Sequence, residues 1–99
     1  MFPQNDIPQG NRVIISVLGK DRVGIIASVA GVLSAVNVNI LDISQTIIQE
    51  YFAMILMADI SNSTINLENL KEKLAELGEE LGVRIDVQHT DAFNYMHRL

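Results

Sequence analysis

A chain of 99 residues, 48% of them hydrophobic, has the size and composition of a single globular domain, which argues strongly against a disordered chain. A formal charge of −5 argues against a general nucleic-acid binder, because phosphate contacts need a basic face, and the lack of cysteine excludes disulfides and thiolate metal sites. No apolar run approaches the ~18 residues of a membrane span, and "MFPQNDIPQGN" lacks the basic-then-apolar order of a signal peptide, so a cytoplasmic chain without a membrane partner is expected.

Residues 1–11 hold both prolines together with Asn5, Asp6, Gly10 and Asn11, and they read as a loose arm. Arg12–Gly19 is a Val/Ile-rich strand closed by glycine. Val13, Ile15 and Val17 fall on one of its faces, Ile14 and Leu18 on the other. Gly24–Val36 has helical spacing, with Ile26, Val29, Ala30 and Leu33 at i, i+3, i+4 and i+7. A second strand runs over Ile40–Ile48, where Leu41, Ile43 and Ile47 alternate with Asp42, Ser44 and Thr46 as in a half-exposed strand. Gln49 and Glu50 form a tight turn without the Asn-Gly chemistry of the strongest hairpins.

Tyr51–Asp59 is the third strand, and it sets Phe52, Met54 and Leu56 against Ile55 and Met57. "SNST" (61–64) is loop, and Asn66 suits the cap of a second helix. In that helix Leu67, Leu70, Leu74, Leu77 and Leu81 line one side, Glu68, Glu72, Glu76 and Glu80 another, and Gly82 suits its left-handed end. Val83–His89 alternates as a fourth strand, and residues 90–99 close the chain as a short amphipathic tail. The order βαββαβ, with two right-handed crossovers, predicts a ferredoxin-like α+β sandwich: a four-stranded antiparallel sheet with both helices on one face. The first and third strands are apolar on both sides. The face without helices must therefore meet the tail, where Phe93 and Met96 are spaced i, i+3, or a second molecule.

The loop "GKDRVGI" joins a strand end to a helix start. Backbone N–H groups of a first helical turn have no partner within the helix and attract a carboxylate or phosphate. Glycines at 19 and 24 allow close approach to the backbone. Asp21 adds a carboxylate that suits an ammonium group, so the loop has the polarity to hold an α-amino acid. The same residues also fit a plain turn in which Gly19 ends the strand and the charges are solvated. No Gly-Lys-Ser/Thr or third glycine is present, so the loop is neither a P-loop nor a dinucleotide fingerprint.

"VLGKDRVGIIASVAGVLSAVNVNILDIS" resembles the opening half of ACT domains, the small regulatory modules attached to enzymes of amino-acid metabolism. The likeness extends over residues 12–89 with the same order of elements. The hairpin "DISQTIIQEYFAMILMADIS" and the tail "QHTDAFNYMHRL" are similar to stand-alone, single-ACT proteins of bacteria and archaea related to the modules of the glycine-cleavage-system repressor. Val23 stands where the family commonly has proline, which loosens the helix start slightly. Position 19, often a ligand-binding side chain in amino-acid-binding members, is glycine.

The resemblance implies a homodimer with a ligand site shared between copies. The loop residues Gly19, Asp21, Arg22, Val23, Gly24 and Ile25 of one copy would face Asn39 and Ile40, at the start of the second strand, in the other. It implies an amino-acid sensor without cofactor, with a regulated protein partner as a further expectation. The alternative is a protein-interaction module with an empty site. His89, Asp91 and His97 match no standard metal spacing, and the serines have no evident His-acid companions, so neither a metal site nor an enzyme is expected.

Overall fold

The computed structural model describes residues 11–20 and 24–90; the predicted arm up to residue 10, loop residues 21–23 and tail residues 91–99 lie outside the described residues. Strands β1 (Arg12–Lys20), β2 (Asn39–Ile48), β3 (Tyr51–Asp59) and β4 (Arg84–His89) alternate with helices α1 (Ile25–Ala35) and α2 (Leu67–Leu81) in the order β1α1β2β3α2β4. The sheet order is β2-β3-β1-β4, with all three pairings antiparallel. This is the ferredoxin-like arrangement read from the sequence.

One continuous core joins the helices to a single sheet face. Val13, Ile15 and Val17 of β1 and Phe52, Met54, Leu56 and Ala58 of β3 pack with Ile25, Val29 and Leu33 of α1 and Leu70 and Leu74 of α2. Period-2 alternation in the strands and the 3.6-residue repeat in the helices bring these side chains to the same layer. Ile26, which the spacing assigned to the buried stripe of α1, is 38% exposed, and Ile25 takes the core position instead.

Capping residues close both ends of α2 and the C-terminal end of α1. The Asn66 side chain accepts the Asn69 N–H at 2.8 Å and caps α2, which ends at Gly82 with φ 72°. α1 ends on the same kind of closure, as the Val83 N–H just past α2 likewise donates to the Gly78 carbonyl at 2.9 Å. Asn37 adopts φ 63° and the Val38 N–H donates to the Leu33 carbonyl at 2.9 Å, a Schellman closure with asparagine in the left-handed position. The Asn37 amide donates to the Asn62 carbonyl at 3.0 Å, and the Thr64 N–H donates to the Val36 carbonyl at 2.9 Å. These bonds hold the loop after β3 against the end of α1.

β2 departs from the half-exposed expectation. A bulge between Ile40 and Asp42 makes Leu41 an extra residue, and every residue from Leu41 to Ile47 is exposed. The register pairs Ile43 with Leu56 and Ile47 with Phe52, so both isoleucines are on the helix side of the sheet. Yet β2 is the outermost strand, and the helices do not cover it. Leu41, Ile43 and Ile47 are 39%, 41% and 58% exposed. The opposite edge, β4, is six residues long and carries an exposed Arg84–Asp86 ion pair at 2.9 Å. No helix among the described residues is long and apolar enough to cross a membrane.

Candidate functional site

Gly24 is the N-cap of α1, at φ 90° and with no side-chain hydrogen bond to the helix start. A side chain there would be strained by the left-handed backbone, although open space surrounds the position. The first helical bond runs from the Ser28 N–H to the Gly24 carbonyl at 2.8 Å. The N–H groups of residues 25–27 therefore precede the helical ladder and give this end its positive character. Ile25 contributes only backbone here, since its side chain is 1% exposed in the core.

The helix start opens on a cleft of about 510 Å³ walled by Gly24, Ile26, Ala27, Gln45, Ile47 and Phe52. A second cleft of about 560 Å³ lies at the other end of α1, lined by Ser34, Asn37, Asn39, Ile40, Asp59 and Asn62 among others. Its polar character comes from amides, hydroxyls and one carboxylate. Asp59 Oδ1 accepts from the Ser61 N–H at 2.9 Å and the Ser61 hydroxyl at 2.7 Å, which fixes the carboxylate.

The residues singled out in the sequence thus divide between two places. Gly24 and Ile25 belong to the first cleft, Asn39 and Ile40 to the second. Asn39 and Ile47 are eight positions apart along β2, about 27 Å of strand, so one chain does not bring the two groups together. Asp21, Arg22 and Val23 lie outside the described residues. The cleft walls Asn37, Asp59, Asn62, Gln45 and Ile47 were not singled out. Asparagine after a helix, before a new strand, is the one sequence signal that could have found Asn37.

Gly19 has a packing role. It lies on the core side of β1, paired with Phe52, and a Cβ at this position would meet Val83 Cγ1 at 2.5 Å, Cβ at 3.0 Å and Cα at 3.2 Å. Gly19→Ala is expected to cost about 1–3 kcal/mol through overpacking. In a Val83→Ala background the cost should shrink, a coupling that a double-mutant cycle in urea would measure.

Comparison with known proteins adds the family. Residues 11–88 match the model of the ACT domain. A UPF0237 protein of Methanocaldococcus jannaschii is 54% identical over 89 residues, which span 90% of this chain and 99% of that one. A UPF0237 protein of Clostridium acetobutylicum is 50% identical over 88 residues, 89% of this chain and 99% of its own length. Among solved structures, an ACT domain protein from Streptococcus pneumoniae is 36% identical at a TM-score of 0.74, covering 83% of this chain and 92% of that one. The regulatory subunit of aspartate kinase from Thermus thermophilus shares the fold at a TM-score of 0.62 and 18% identity, over 80% of this chain and 51% of that one.

Proposed function

The chain belongs to the ACT-domain family, and from that membership we propose that it is a regulatory module, not an enzyme, that binds an amino acid between two copies of itself. The observation that carries this reading is the separation of the two clefts along one unpaired strand edge. The first cleft is at the end of β2 and the second at its start. Two copies joined antiparallel along β2 about a two-fold axis would bring the first cleft of each against the second cleft of the other. Every polar group of the composite site would then occur twice, in two equivalent pockets.

The chemistry of the two halves is complementary. The helix start, with its unpartnered N–H groups, suits a carboxylate. Asp21 from the loop, with Asn39 from the partner, suits an ammonium group. Exposed Ile47 and half-buried Ile40 supply apolar walls for a side chain. The unpaired backbone of β2, free of proline and lysine along Asn39–Ile48, is a template for the pairing this requires.

A thermal-shift screen of the standard amino acids tests the reading. Ligand at a hundredfold excess over Kd stabilises the folded state by about 2.7 kcal/mol. At roughly 4–8 °C per kcal/mol for a domain of this size, the shift is large. One or a few amino acids with small side chains are expected to raise Tm. Asp21→Ala should abolish the rise while the protein stays folded. If no amino acid moves the wild type, the sensor reading fails, and a protein-interaction module with the same architecture takes its place.

A further inference from the structure

The helices cover one face of the sheet, and the other carries Ile14, Leu18, Ile55 and Met57. We propose that residues 91–99 of the same chain dock on this open face, over its Arg12–Ile14–Met57 end. The first ground is burial at the point where the described chain stops. The ladder ends where His89 pairs with Val13, next to Arg12, and Thr90 follows directly on it. Thr90 lies just past the edge strand β4, where a side chain would ordinarily be solvated, yet it is 3% exposed. Arg12 Nε is likewise buried, with no hydrogen-bond partner among the described residues.

A gradient along the face points the same way. Leu18 and Ile55, far from Thr90, are 53% and 52% exposed, whereas Ile14 and Met57, close to it, are half-buried. Whatever covers the face covers this end. Thr90 already has helical backbone. Nine further residues continued as a helix would extend about 13 Å, and the step from β4 across β1 to β3 is about 10 Å. A segment of that length would reach Met57.

Its chemistry fits the surface. In "DAFNYMHRL" the residues Ala92, Phe93, Met96 and Leu99 fall on one helical stripe, and Asp91, Asn94 and Arg98 fall elsewhere. The stripe offers apolar side chains to Ile14 and Met57.

Thiol reactivity tests this directly, because the chain has no cysteine of its own. Ile14→Cys and Leu18→Cys are each made in the full chain, with and without Phe93→Ser and Met96→Ser, and alkylation rates are measured across protein concentrations. The thiol at position 14 is expected to react at least about tenfold faster when the stripe is broken, the ratio that corresponds to ~1.4 kcal/mol. The thiol at position 18 should react fast in both. Equal rates at position 14 would overturn the proposal, and so would protection that grows with protein concentration, since a second copy would then be the occupant. Phe93→Ser alone carries the same test if the double variant is insoluble: a faster rate at position 14 supports docking, and an unchanged rate overturns it.

Discussion

Ile43→Lys combined with Ile47→Lys is expected to yield a folded monomer whose self-association is weakened at least about a hundredfold, or ~2.8 kcal/mol. In the single chain these positions are 41% and 58% exposed, so lysine removes little that the fold needs. In a pair joined along β2 the same side chains enter the contact, and each lysine must either lose water or hold the edges apart. Lysine on an edge strand is a device by which natural sheets block pairing. Sedimentation velocity at micromolar concentration, read beside circular dichroism, separates association from folding. A wild type that sediments as a monomer, or a variant that still pairs like the wild type, would remove the two-copy site altogether.

Leu33→Ala should give the largest loss of stability of any single truncation in α1. Leu33 is 0% exposed and belongs to the core between α1 and the sheet. Truncating a leucine so enclosed removes its transfer free energy and leaves a cavity, together about 3–5 kcal/mol. Against a total of about 5–15 kcal/mol for a small domain, that is a large fraction, and Tm should fall by roughly 12–40 °C. Ile26→Ala, on the same helix but 38% exposed, should cost under about 1.5 kcal/mol. Urea denaturation of both variants checks the contrast. Comparable losses would mean that the packing side of α1 is misassigned.

The fold was legible because local signals and the core agreed. Alternation in β1 and β3, leucines at intervals of three and four in α2, and Asn66 and Gly82 at its ends all pointed to one arrangement, and the elements form within a residue or two of where those signals lay. The candidate site was legible only in part. Gly24 announces a left-handed helix start, but Gly19, in the same short motif, is small because Val83 crosses above it. That contact joins residues 64 positions apart, and no local pattern encodes it. Asp59 and Asn62 become cleft walls because the loop after β3 is tied to the end of α1, again a matter of topology. The alternation in β2 reads straight through the bulge, since an extra residue leaves no mark in a sequence that is already mixed apolar and polar.

The two borders of the sheet differ in what they permit. β2 is ten residues long, uncharged but for Asp42, and flanked by exposed isoleucines; β4 is six residues long and guarded by the Arg84–Asp86 pair. A sheet with two equally adhesive borders would add chains without limit and grow into a filament. Were two copies joined through β2, that edge would be consumed on both and only the short β4 edges would face outward. Growth along the sheet would then stop at two copies.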